Sequence, residues 1–184
     1  MKRVVLTALL ALTVSSCGYN RIQSLDEQVN SFESQIKVQL QRRADLVPNL
    51  VNTVKGFAEQ EQAIFDAVTD ARAQLGGAVN DGSLAEMAAA NQTLTSALGR
   101  LIAIAEDNPE IQSNENFRML QDQLEGTENR ISTARQDYNQ AVQAYNSYIR
   151  RFPQILTAKM TGAKAREYFE VTGEAATEVP EVEF

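Results

Sequence analysis

The sequence predicts an all-α protein: an elongated antiparallel up-and-down bundle of three long helices plus a shorter one. It becomes a four-helix bundle if the first helix breaks at Pro48. Three observations carry this reading. Apolar residues recur in steps of three and four along three long stretches, the period of a single helix face. Ala, Gln, Leu and Glu are plentiful, while the 184 residues include only four Pro and nine Gly, a balance that favours helix over sheet. Clusters of breakers then separate the stretches, at Gly76-Gly77 with Asn80-Asp81-Gly82, at Glu106-Asp107-Asn108-Pro109, and at Pro153. The length suits one domain, and 43% hydrophobic with 22% charged residues is ordinary for a folded body.

Residues 1–16 read as a leader. Lys2 and Arg3 form a positive start and Val4 to Val14 an apolar run. Eleven helical residues reach roughly 16 Å, about half a bilayer core, too short to span. The lone cysteine, Cys17, closes the tetrapeptide Val14-Ser15-Ser16-Cys17, which resembles the bacterial lipobox and so implies lipidation of the thiol. A single cysteine also excludes an internal disulfide. One acyl chain anchors marginally and two or three anchor stably. The residue after the cysteine is Gly18 and not the Asp that tends to retain Gram-negative lipoproteins on the inner membrane, so the analogy favours an outer-membrane lipoprotein facing the periplasm. Residues 17–21 are expected as a lipidated tether of at most ~18 Å. Removing Lys2 and Arg3 with the leader takes the net charge from −7 to −9, and an acidic body is expected to repel nucleic acid and anionic lipid.

The first helix is expected over about 21–76. Its stripe runs Ile22, Leu25, Val29, Phe32, Ile36, Leu40, Arg43, Val47, Leu50, Val54, Phe57, then Glu61, Ile64 or Phe65, Val68, Ala71 and Leu75. Pro48 falls inside it, where a proline loses a hydrogen bond and costs ~3 kcal/mol. Either the helix kinks there, or it breaks and Asp45 caps a second helix that doubles back; the unbroken phase favours the kink. A second helix over about 83–106 opens with Ser83 and Glu86 in capping-box spacing. Its face is Leu84, Met87 or Ala88, Asn91, Leu94, Leu98, Leu101 or Ile102, and Ala105. The third, over about 113–152 and capped by Ser113, carries Phe117, Leu120, Leu124, Thr127, Ile131, Ala134, Tyr138, Ala141 or Val142, Tyr145, Tyr148 or Ile149, and Phe152. That is a heptad seam. A short final helix over 154–169 would dock Ile155, Leu156, Met160, Tyr168 and Phe169, completing a bundle over 22–170. Residues 171–184 hold four Glu and no Lys or Arg, the signature of a disordered acidic tail.

Two blocks, QLQRRADLVPNLVNTVKG at 39–56 and TENRISTARQDYNQAVQAYNSYIRRFP at 127–153, resemble the LemA family of bacterial envelope proteins. The second block carries the paired Tyr138-Asn139 and Tyr145-Asn146. The resemblance implies a four-helix bundle in the cell envelope. Many LemA relatives begin with a transmembrane helix, whereas this chain begins with a lipoprotein-type leader.

Enzyme signatures are missing from the sequence one after another. Without His there is neither the usual acid–base group nor a Glu-x-x-His di-iron pair, and no cofactor is expected. Cys17 is assigned to lipid, which leaves no thiol nucleophile. Carboxylates at helical spacing, such as Asp66 with Asp70, read as solvated faces that could at most hold a hard cation weakly. More informative are polar residues in core phase: Arg43 and Glu61 on the first helix, and Glu128, Arg135, Asn139 and Asn146 on the third, stepping by seven, four and seven. These form either a partly buried ladder, in which Arg43 or Arg42 meets Glu128 and fixes register, or a set of side chains reaching to solvent. A third reading turns the Asn line toward a ligand groove. The function expected is that of a lipid-anchored, non-enzymatic envelope protein that offers a long helical face to other envelope proteins as scaffold or assembly module, with Tyr19, Phe117 and Tyr148 as contact candidates if exposed. The alternatives are a carboxylate-based factor or enzyme of envelope turnover, and a helical carrier of an apolar ligand.

Overall fold

A computed structural model of the chain describes residues 2–58 and 60–170, with side chains described from Gly18 onward. The acidic tail expected at 171–184 lies outside the described residues, as does the side chain of Cys17. Among the described residues there are six helices and no strand: α1 (Lys2–Lys55), α2 (Gln62–Asp81), α3 (Leu84–Glu106), α4 (Pro109–Gln112), α5 (Glu115–Ile149) and α6 (Gln154–Thr161). The all-α bundle expected from periodicity is what the chain forms, and the stripes are its core. Ile22, Leu25, Val29, Ile36, Leu40, Val47, Leu50 and Val54 of α1 are buried, as is the α5 seam from Phe117 to Ile149 at every third or fourth position.

The boundaries depart from the sequence reading at several points. α1 begins at Lys2 and passes helically through 18–21, where a tether was expected. The apolar run and the residues after it contain no proline, so nothing stops the helix, and five helical residues span only ~7.5 Å. α1 also continues unbroken through Pro48, which overturns the reversed helix capped by Asp45. That carboxylate is exposed and accepts a hydrogen bond from Gln41 Nε2 at 2.9 Å. The chain doubles back later, after Lys55, through a loop in which Glu61 N donates to Ala58 O at 3.1 Å. Phe57, assigned to the stripe, lies at the start of that loop and is exposed.

Gly76-Gly77 does not end the helix, because α2 runs on to Asp81. Each glycine weakens a helix by about 1 kcal/mol, and burial of Phe65, Val68, Ala71 and Leu75 on the same helix outweighs that. The turn comes at Gly82, whose backbone N–H donates to Ala78 O; a Cβ there would lie 2.6 Å from that same oxygen, so only glycine fits. Ser83 then closes a capping box with Glu86, the serine N–H donating to Oε2 at 2.6 Å and the Glu86 N–H to Ser83 Oγ at 3.3 Å. The single turn α4 was not expected; Asn108 caps it and Pro109 supplies its first position. α5 is capped by Asn114, whose Oδ1 accepts from Phe117 N at 3.2 Å, and not by Ser113, whose hydroxyl donates to Glu110 O. α5 stops at Ile149, which puts Phe152 outside the seam and into solvent. α6 is half the length expected, ended by Gly162 at φ 72°, and residues 163–170 are not helical. Leu156, Met160 and Tyr168 are exposed and do not dock, whereas Phe169 is buried. Phe117 is buried in the α5 seam, which removes it as a contact candidate; Tyr148 is half-buried and Tyr19 exposed.

The described chain divides into two compact units. One holds residues to Ile36 with Ser132–Tyr168, the other Lys37–Ile131 with the chain from Phe169, and α1 and α5 contribute to both. In the second unit, Arg72 of α2 bonds the Ala44 carbonyl of α1, and Arg43 reaches Asn91 of α3 and Glu128 of α5. Ala44 and Arg72 each stand 14 residues from residue 58, Arg72 and Asn91 stand 10 and 9 from Gly82, and Asn91 and Glu128 stand 18 and 19 from Pro109. Four helical segments that reverse at those three turns bring these residues to one level, which is up-and-down topology.

Candidate functional site

Two polar clusters, one in each unit, organise the buried chemistry of the chain. The first is built on Arg43. Its position in the α1 stripe takes the guanidinium into the core, where the side chain is 6% exposed. Nη1 donates to Asn91 Oδ1 at 2.6 Å and lies 2.5 Å from Glu128 Oε2. The latter is a charge contact, and Glu128 Oε2 and Arg43 Nε are both buried without a hydrogen-bond partner among the described residues. Burial lowers the guanidinium from its ordinary value, and the Glu128 charge pulls it back up. Glu128 is the outward partner, with a side chain 41% exposed.

Pro48 completes this cluster indirectly. Lacking an N–H, it leaves the carbonyl four residues back, Ala44 O, without its helical donor. Ala44 is buried, so that oxygen cannot turn to water. Arg72 Nε supplies the missing hydrogen bond from α2 at 2.9 Å. A proline in one helix is thereby matched by an arginine in the next.

The second cluster is built on Arg166 in the non-helical segment after α6. Its Nε and Nη2 both reach Asp26 Oδ1 at 2.9 Å, and Nη2 also donates to Asn30 Oδ1 at 2.9 Å, all on α1. Asn146 of α5 holds the backbone of the same residue at both ends: its Nδ2 donates to Arg166 O and its Oδ1 accepts from Arg166 N, each at 2.8 Å. One residue on, Glu167 O accepts from Tyr138 OH at 2.9 Å. Burial pushes the Tyr138 phenol up to about 12, the nearby Glu33 charge adding to it and Arg166 opposing it. Tyr145 is likewise raised, by burial first and by Asp26 second. A groove of about 420 Å³ opens beside Asp26, Tyr145, Gly162 and Arg166.

The residues singled out from the sequence divide between these clusters. Arg43 and Glu128 meet. Asn146 belongs to the Arg166 cluster, its amide nitrogen and oxygen each holding the Arg166 backbone. Arg42 is exposed, and Glu61 sits half-buried at the start of α2. Arg135 and Asn139 are half-buried on α5, each engaged with a neighbour. Asp66 accepts from Gln62 Nε2 at 2.7 Å on the exposed face of α2. Sequence reasoning missed Arg72, Asn91 as a partner, Asp26, Asn30 and Arg166. Asn91 stood in the α3 stripe as a polar residue in core phase, the one signal available; Arg72 and Arg166 gave none. No helix among the described residues is long and apolar enough to cross a membrane.

Comparison with known proteins adds the following. The LemA family model matches residues 32–184. Two magnetosome proteins of Paramagnetospirillum magneticum, MamQ 1 and MamQ 2, are each 30% identical to this chain over 90% of its length and 70% of theirs. The magnetosome protein MamQ of Magnetospirillum gryphiswaldense is 28% identical over 90% of this chain and 69% of its own.

Proposed function

The chain belongs to the LemA family, and from that premise we propose that it is a lipid-anchored, non-enzymatic envelope protein whose helical body serves as a scaffold or assembly module for other proteins. One observation carries the non-enzymatic part. The polar side chains of the two clusters are spent on tying segments of the chain to one another: Arg43 to Asn91 and Glu128, Arg72 to Ala44, Arg166 to Asp26 and Asn30, Asn146 to the Arg166 backbone. Groups used in this way hold register and are not poised against a substrate. The relatives' names tie them to the magnetosome and not to a reaction, which supports the same reading. The anchor rests on the leader and Cys17, with acyl chains moored in the bilayer. In a Gram-negative envelope, Gly18 after the cysteine favours the outer membrane on the periplasmic side.

The test is chemical crosslinking in intact cells followed by mass spectrometry of proteins recovered with the chain. A reproducible set of envelope proteins is expected. Recovery of no protein partner above a control lacking the chain rules the scaffold reading out.

A further inference from the structure

We propose that α6 and the turn before it form a membrane-docking surface that lies in the headgroup region of a bilayer containing anionic lipid. Phe152 is 81% exposed, Leu156 55% and Met160 88%, and the first and last are the most exposed large apolar side chains among the described residues. Leu156 and Met160 are four apart and share a face of α6, with Phe152 at its entry. Among the described residues none covers this face, and its charge surroundings name the occupant. From Tyr138 to Arg166 the sequence has five cations, Arg150, Arg151, Lys159, Lys164 and Arg166, and no Asp or Glu, in a chain of net charge −7. Arg166 is neutralised by Asp26, but Arg150, Arg151, Lys159 and Lys164 are exposed, and so is Arg21 of α1. Screening confines each charge to about 8–10 Å, so this local collar and not the net charge is what a nearby lipid surface meets. Apolar side chains rimmed by Lys and Arg are the composition of an interfacial helix.

Position points to the same occupant. A Cβ on Gly18 of α1 would lie 3.6 Å from Thr157 Oγ1 and 3.9 Å from Gln154 Cγ of α6. So α6 packs beside the residue that follows Cys17, the attachment point of the acyl chains in the anchored reading. Tyr19, exposed next to it, adds an amphipathic ring of the kind that settles at headgroup level. The proposal rests on the anchored reading above and adds that the folded body itself touches the lipid.

The chain has no Trp, so one introduced residue is a unique reporter. The lipidated protein carrying Met160→Trp, purified from cell membranes, is reconstituted into vesicles of mixed anionic and zwitterionic lipid, with brominated acyl chains as quencher. Met119→Trp, on α5 and 50% exposed, is the control. Expected are a blue-shifted Met160→Trp emission quenched by brominated lipid, an unquenched Met119→Trp, and about a twofold or larger fall in quenching when the anionic lipid is omitted. A blue shift without quenching means that protein, a second copy or a partner, covers the face, and the proposal fails. Water-like, unquenched emission from a chain that floats with the vesicles overturns docking alone. A chain that does not float with the vesicles overturns the anchor, and docking falls with it.

Discussion

Arg43 and Glu128 meet on unequal terms, since the guanidinium is almost wholly buried and the carboxylate is not. Removing the acid strands a buried charge with only Asn91 to hold it, whereas removing the arginine lets Glu128 turn to water. Glu128→Ala should therefore cost about 3 kcal/mol. Arg43→Met, which keeps the apolar arm, should cost about 1–2 kcal/mol, chiefly because the buried Asn91 Oδ1 loses its donor. In the Arg43→Met background, Glu128→Ala should cost almost nothing. Urea unfolding of the four proteins checks this; equal and additive costs would mean that the pair is not coupled. Tyr138 makes a second residue-scale prediction, one that depends on pH. Its phenol is raised to about 12 in the folded chain, above its ordinary value of 10.0. Below pH 10 both states keep the proton and stability is unaffected. Between 10 and 12 the unfolded state loses the proton first, so stability must fall, by about 2–3 kcal/mol in all. Tyr138→Phe should lose about 1 kcal/mol at neutral pH, from the bond to Glu167 O, and should lack this part of the alkaline fall. Melts of both proteins from pH 8 to 12 with parallel slopes would contradict it.

For the helices, the pairing of Pro48 with Arg72 makes the sharpest claim, because it joins a backbone defect in α1 to a side chain of α2. Arg72→Met should cost about 1–2 kcal/mol, leaving the buried Ala44 carbonyl without a donor. Pro48→Ala restores an N–H at that position and removes the ring, so it should be neutral or stabilising. With alanine at 48, Arg72→Met should be nearly silent. A full-sized Arg72→Met loss in the Pro48→Ala background would show that the arginine does something other than satisfy Ala44. The same pair shows where periodicity succeeds and where it stops. Helix faces were legible because a buried stripe needs three- and four-residue steps, and those steps are visible without coordinates. Ends were less legible, because they turn on small competing terms. Gly76-Gly77 looked like a stop but lies beside a buried face that outweighs it, while the Asn80-Asp81-Gly82 cluster did mark the end, fixed at Gly82 by its backbone contact with Ala78. Arg72 was unreadable for a related reason: its partner is a carbonyl, which sequence cannot mark.

At the scale of the whole chain, the segment that closes back after α6 was the part least legible in the sequence. Read as helix, residues 163–169 have an apolar face. They run instead as non-helical chain because Asn146, Tyr138, Asp26 and Asn30, scattered over more than a hundred positions, together bind its backbone and its arginine. A one-dimensional pattern cannot show such convergence. By contrast, charge is legible at this scale and alters the expectation drawn from it: a net charge of −7 argued against contact with anionic lipid, yet the acid-free stretch from Tyr138 to Arg166 concentrates cations around an α6 that packs beside Gly18. The anchor itself remains the claim on which the whole molecule's location depends, and Cys17 is its single point of attachment. Each buried CH₂ of an acyl chain contributes about 0.8 kcal/mol, so two or three chains hold a body of this size at the bilayer, while an eleven-residue apolar run alone is too short to span it. Cells grown with labelled palmitate should therefore incorporate it into the wild-type chain and not into Cys17→Ser. Equal label in the two proteins would remove the lipid anchor, and with it the argument for which side of which membrane the bundle occupies.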